Sequence, residues 1–156
     1  MKNSFGLESL DRRIVDQLQK DAAISHADLA ERVGSSPASC WRRIRALEHA
    51  GVLTANVRLV DPEKVGRGVN VICNIRVRSH AREVRAQFEA FVRTRPEVME
   101  CYSMSGEWDY LLRIVSADVA DYEQFLMRTL LEHPSVGGAA SHFALSTTKY
   151  TTALPV

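Results

Sequence analysis

The sequence predicts an α+β chain in two parts: three short helices, then a βαββαβ module. Three observations carry that reading. Three separately capped helical stretches fall within the first fifty residues, a Pro- and Gly-marked break lies at 61–68, and the apolar periodicity changes from helical to alternating beyond it.

Leu10, Ile14 and Leu18 recur every four residues with Val15 beside them, which predicts a first helix with Ser9 as its cap and Asp11 as a favourable first-turn charge. Ser25 and Asp28 form a capping box ahead of Leu29, Ala30 and Val33, and Gly34 stands where a left-handed cap would end the second helix. Ser36 caps a third helix with Pro37 in its first position, where the missing N–H costs nothing, and Gly51 closes it. The following "VLTANVRLVDP" is rich in β-branched residues, with Val57 and Leu59 alternating against Asn56 and Arg58, and predicts one or two short strands. Three helices with a strand-like tail describe a winged helix-turn-helix over residues 1–60. The segment "DPEKVGRG" at 61–68 reads as a linker and 69–156 as a second domain.

In that second part Val69, Val71, Cys73, Ile75 and Val77 alternate with more polar neighbours and predict a strand. A helix with Val84, Phe88, Phe91 and Val92 ends before Pro96. Strands near Val98–Ser105 and Tyr110–Val115 flank the loop "GEWD". A second helix, with Val119, Tyr122, Leu126 and Leu130, is capped by Asp118 and breaks at Pro134, and a last strand is expected near Ala140–Thr148. This order is that of the ferredoxin-like split βαβ fold, in which two helices cover one face of a four-stranded antiparallel sheet. Ile72 and the apolar run from Tyr110 make both sheet faces want cover, which a second copy of the chain would supply.

Composition narrows the function. Apolar residues make up 46% and charged residues 25%, the balance of a globular protein. A net charge of +1 conceals a basic front end: residues 1–60 hold nine Lys/Arg against seven Asp/Glu, and the remainder eleven against twelve. Cys40, Cys73 and Cys101 form no CxxC pair, and His26, His49, His80, His133 and His142 are scattered, so neither a disulfide framework nor a metal site is indicated. No apolar span or cleavable leader is visible, and a cytoplasmic protein that needs no cofactor is expected.

The third helix carries the sharpest signal. At 100° per residue, Cys40, Ile44 and Leu47 fall on one side, Ala38, Arg42, Arg45 and His49 on the other, and Arg43 on a flank; no acidic residue occurs from Ala38 to Leu47. A small residue at the start of such a face allows close approach to DNA, and guanidinium groups reach guanine or phosphate oxygens. Ser36 and Ser39 at the helix start can hold a phosphate. An arginine-rich helix face alone can equally be a solvated surface. Trp41, at the border of the buried stripe, is expected to pack rather than stack on a base.

The segments "LDRRIVDQLQKDAAISHADLAERVGSSPASCWRRIRALEHAGVL", "GEWDYLLRIVSAD" and "KYTTALP" together resemble the Lrp/AsnC (feast/famine) regulators over nearly the whole chain. The resemblance implies a winged helix-turn-helix that binds double-stranded promoter DNA and a ferredoxin-like (RAM/ACT-like) domain for amino-acid sensing and assembly. It implies homodimers, commonly arranged as an octamer from four dimers, with a small effector between C-terminal domains and no membrane partner. Carried over by position, the DNA contacts are Ser36, Ser39, Arg42, Arg43 and Arg45. The ligand loop is Ser105, Gly106, Glu107, Trp108 and Asp109, faced by Ala140, Ser141 and His142. Local chemistry agrees: Asp109 can take an ammonium, and a turn at Ser105 and Gly106 can present N–H groups to a carboxylate. A four-residue G-x-x-D pattern taken alone also describes a hairpin turn in which Asp bonds backbone.

Two other readings stand beside this one. Sirohaem-type decarboxylases share the two-domain outline and would recruit His142, His80 or Arg113, although no nucleophile–base pair, HExxH or P-loop is present and no catalytic residue is assigned. A regulator that binds DNA without any effector is the other.

Overall fold

The computed structural model describes residues 6–156. The chain separates into two compact units. One comprises the chain up to Arg58 together with Lys149–Val156, the other Leu59–Thr148. Residues 1–5 of the expected first domain lie outside the described residues.

In the first unit α1 (Ser9–Lys20), α2 (His26–Val33) and α3 (Pro37–His49) enclose a core of Ile14, Val15, Leu29, Ala30, Val33, Cys40 and Leu47. The caps of α2 and α3 form as their sequences require: Ser25 Oγ accepts from Asp28 N–H at 3.1 Å, and Ser36 Oγ from Ser39 N–H at 3.2 Å. Gly34 (φ 66°) and Gly51 (φ 71°) adopt the left-handed conformation that ends each helix. The cap of α1 differs. Glu8 occupies that position without a side-chain bond, Ser9 already lies inside the helix, and Asp11, in the first turn as expected, also meets α3. Arg43 Nη1 lies 2.9 Å from Asp11 Oδ1, and its Nη2 lies 2.7 Å from Glu8 Oε2. These two bonds, Asp11's first, raise the guanidinium pKa above its ordinary value. Asp11 is buried and Glu8 exposed. Asp11→Ala is therefore expected to lower the thermal midpoint of this unit more than Glu8→Ala, since it strips the sheltered partner from the guanidinium; equal midpoints for the two variants would contradict the role of this pair.

The expected wing does not form. Among the described residues none from 50 to 68 belongs to a strand, and Val57, Leu59 and Val60 are exposed. The β-branched Val57 and Val60 supply propensity, but among the described residues no neighbouring strand meets the backbone donors and acceptors of this stretch. Residues 61–68 instead wind into a turn with Arg67 N–H bonded to Pro62 O at 2.7 Å, and Arg67 pairs with Asp121 at 3.0 Å. Lys149–Val156 folds with the helices: the Gln19 side-chain amide donates to Leu154 O at 3.0 Å and accepts from Leu154 N–H at 2.7 Å.

The second unit is the four-stranded antiparallel sheet β2-β3-β1-β4, with β1 Val69–Val77, β2 Val98–Ser103, β3 Tyr110–Ser116 and β4 Val136–Phe143. One face packs on α4 (Arg82–Arg93) and α5 (Val119–Phe125), which continues as a π-helical turn, Leu126–Leu130. Period two in β1 is realised: Val71, Cys73, Ile75 and Val77 are buried with Phe88, Leu112, Ile114 and Leu130. Ile72, Asn74 and Arg76 point to the opposite, open face.

The last strand begins and ends earlier than expected. Gly137 and Gly138 lie inside β4, not in a flexible loop before it. Gly137 backs so closely onto β1 that a Cβ there would sit 3.3 Å from Arg76 O, Arg78 N and Val77 C. After Ala144 N–H bonds Asn70 O at 2.9 Å the chain leaves the sheet, and Leu145 is exposed.

Candidate functional site

On α3 the apolar stripe turns Cys40 and Leu47 inward, leaving Ala38, Arg42, Arg45 and His49 exposed on the other side. Arg42 is unpaired among the described residues; Arg45 makes an exposed pair with Glu48 at 3.1 Å. Trp41 departs from expectation. It is 52% exposed, with the Arg45 guanidinium 5.9 Å from its ring centroid, because its flank of the helix faces neither α1 nor α2. Ser36 accepts a bond at the helix start and keeps its own hydroxyl proton for a partner. Arg43 is the exception among the expected contacts: its guanidinium is turned to α1 and committed to Asp11 and Glu8. Four of the five expected residues thus stand at the start or along the outer side of the helix, and the fifth anchors it.

The loop joining β2 to β3 is held at its base by backbone bonds, Met104 N–H to Asp109 O and Asp109 N–H to Ile75 O, both 2.9 Å. Gly106 has φ 119°, which L side chains rarely adopt. Asp109 does not project freely. Its Oδ2 accepts from Val77 N–H at 2.8 Å, its Oδ1 lies 3.4 Å from His80 Nδ1, and its side chain is 17% exposed. Asp109 therefore ties the start of β3 to the end of β1. Glu107 and Trp108 meet a residue that sequence reasoning passed over: Arg76 Nη2 lies 3.0 Å from Glu107 Oε1, and the Arg76 guanidinium 4.9 Å from the Trp108 ring centroid. Only its arginine identity on the polar phase of β1 could have signalled it.

The expected facing wall divides by strand alternation. Ala140 pairs with Asn74 and His142 with Ile72, so both lie on the open face with Arg76. Ser141 pairs with Cys73 on the helix-covered face, where its hydroxyl meets the Tyr122 hydroxyl and Cys73 Sγ. Burial raises both the Cys73 and Tyr122 pKa values, so this trio stays neutral. Ser141 is thus separated from the loop residues by the thickness of the sheet.

Two clefts are lined by residues outside this loop, the second of them reaching its base at Ser103 and Tyr110. One, about 380 Å³, is lined by Arg12, Arg13, Arg32 and Val156; the other, about 340 Å³, by Glu89, Arg93, Cys101 and Tyr110. The residues a decarboxylase would recruit do not converge: Arg113 and His142 flank Ile72 from opposite strands, about 10 Å apart, and Arg113 is paired with Glu100 at 2.7 Å, while His80 lies beside Asp109. Among the described residues no group of three His, Cys, Asp or Glu could hold a metal, and no helix is long and apolar enough to cross a membrane.

Comparison with known proteins adds the following. Residues 7–48 match the model of the AsnC-type helix-turn-helix domain, and residues 70–154 that of the Lrp/AsnC ligand binding domain. The chain is 37% identical over 150 residues to the DNA-binding transcriptional activator DecR of Escherichia coli K12, covering 96% of this chain and 99% of that protein. Among solved structures it is similar to an AsnC family transcriptional regulator from Agrobacterium tumefaciens (44% identity, TM-score 0.91, covering 96% of this chain and 97% of that one). It is also similar to a transcriptional regulator from Neisseria meningitidis solved as its L-Met complex (38% identity, TM-score 0.92, 96% of each chain).

Proposed function

We propose that this chain, which belongs to the Lrp/AsnC family of DNA-binding transcriptional regulators, reads promoter DNA with the outer side of α3 and adjusts that reading to a small amino acid. The observation that carries it is the exposed, cationic side of α3, with Arg42 and Arg45 opposite the apolar stripe that fixes the helix to its own core. Arg42 and Arg45 contact base edges or phosphates, and Ser36 and Ser39 hold a phosphate at the helix start. Arg43 orients the reading helix through α1 and touches DNA only if its ion pairs open.

The effector belongs at the β2–β3 loop, on Ser105, Gly106, Glu107, Trp108 and Asp109, with Ala140 and His142 of the open face beside it. Ser141 supports that wall from within. Support for an amino acid comes from the L-Met complex of the Neisseria relative. The open sheet face, half covered in a single chain, suits a homodimer, and dimers assembling to an octamer place loops of neighbouring copies together. Effector binding then changes how copies associate, which repositions paired heads on half-sites one helical turn apart. We place the protein in the cytoplasm, with DNA and effector as its partners and no reaction to catalyse.

A mobility-shift titration on the DNA upstream of the chain's own coding region tests this. With several arginine–phosphate contacts, affinity is expected to fall by about a thousandfold or more between ~50 and ~200 mM salt. The amino-acid panel below should shift the curve. No retardation of that DNA at ~50 mM salt, against a scrambled control, would overturn the reading.

A further inference from the structure

Resting on the amino-acid reading above, we propose that Arg76 and Glu107, braced on Trp108, are the pair that recognises the two charges of the effector, a zwitterionic α-amino acid with an apolar side chain. Asp109 is then a positioning residue and not the ammonium's partner.

Asp109 is already satisfied. One carboxylate oxygen takes the Val77 N–H and the other faces His80, and the side chain is largely covered. Freeing it for an ammonium would break the tie between β1 and β3 and leave a sheltered N–H unpaired. Glu107 is the loop's accessible carboxylate, with its side chain 73% exposed. Its partner Arg76 is half exposed, and a pair so open to water gains little from Coulomb attraction. A ligand carrying both charges can therefore replace that contact at small cost: its carboxylate takes the Arg76 guanidinium in a forked pair and its ammonium takes Glu107. A singly charged ligand would meet one of these groups and leave the other unpaired.

In the single chain the ground beside Arg76, at the loop end of the open face, is bare. Gly138 stands opposite it in β4, where a Cβ would meet nothing within 4 Å, and Ala140 follows on the same face. A ligand side chain can lie where a protein side chain would otherwise stand, against Ala140 and the part of the Trp108 ring that the guanidinium leaves free. Gly138, Ala140 and the Trp108 ring offer a ligand side chain no charge of their own, which selects apolar side chains over acidic or basic ones.

Calorimetric titration of the full chain tests the assignment, with L-methionine, L-methioninamide and N-acetyl-L-methionine as probes and a thermal-shift panel of the twenty amino acids alongside. L-Methionine is expected to bind more tightly than either analogue, each of which lacks one charge. Arg76→Gln should weaken L-methionine by about ten- to a hundredfold and abolish its preference over the amide, with Arg76→Lys recovering part of both. Glu107→Gln should abolish the preference over the N-acetyl form. Circular dichroism establishes that each variant is folded. Variants that keep both preferences overturn the pair while leaving the amino-acid reading intact. A wild-type response confined to acidic or basic amino acids overturns the apolar class. No response to any of the twenty overturns the amino-acid reading and this inference with it.

Discussion

Replacing both Arg42 and Arg45 with alanine weakens promoter binding by about thirty- to twenty-thousandfold. Each arginine that reaches a guanine edge contributes about 1–3 kcal/mol, and about 1.4 kcal/mol is a tenfold change. The loss is one of recognition, not of folding. Arg42 is unpaired among the described residues, and Arg45 makes a solvent-exposed pair with Glu48 and lies over the exposed Trp41 ring, so neither holds the helix in place. The core stripe of Cys40 and Leu47 and the Ser36 cap are untouched. Binding isotherms should be compared at fixed salt with Arg128→Ala, which removes an exposed positive charge from the sheet unit. Affinity in the double variant within threefold of that control would show that α3 does not read the DNA.

Phe88→Ala destabilises the sheet unit by about 3–5 kcal/mol, a large share of the ~5–15 kcal/mol that holds a domain folded. Phe88 is 0% exposed, with its ring 4.8 Å from that of Tyr110 and 6.4 Å from that of His133, so truncation leaves a cavity bounded by α4, β3 and the turn after α5. The Tyr110 hydroxyl donates to Glu89 Oε1 at 2.9 Å, a bond that holds the ring and discourages collapse into the space; burial and that bond push the hydroxyl pKa up to about 12. Trp41 and Trp108 lie in different units, so urea unfolding in a Trp41→Phe background follows the sheet unit through Trp108 alone. A lowered midpoint at unchanged slope is expected. An unchanged midpoint would contradict Phe88 as the centre of this core.

What the residues disclosed in advance was local. Ser25, Ser36, Pro37 and the two capping glycines act through backbone atoms a few positions away, so their effect is written beside them. The alternation of β1 was equally direct, because one face meets helices and the other does not. What escaped depends on partners distant in sequence. Asp11 is the first-turn charge its position announces, but its pairing with Arg43, 32 residues on, had no local sign. Asp109 looked like a free carboxylate until the Val77 N–H engaged it. Gly137 fell outside the last strand as expected from Ala140 onward, whereas its backbone lies within β4 and is pressed against β1. The stretch 52–60 has the composition of strands but pairs with no strand among the described residues, and propensity alone does not close a ladder. At the loop, the pattern announced Glu107 and Trp108 but not Arg76, which only strand register and the bend of the hairpin bring to them.

Because Lys149–Val156 rejoins the helices and saturates the Gln19 amide at Leu154, the reading head is discontinuous in sequence. No single scissor point in the gene releases it whole. A fragment stopping at Arg58 would expose the docking groove of α1 and leave that amide to water. Chimeras that graft a foreign sensor onto this head accordingly require two splice sites, with the closing peptide inherited from the head's own lineage.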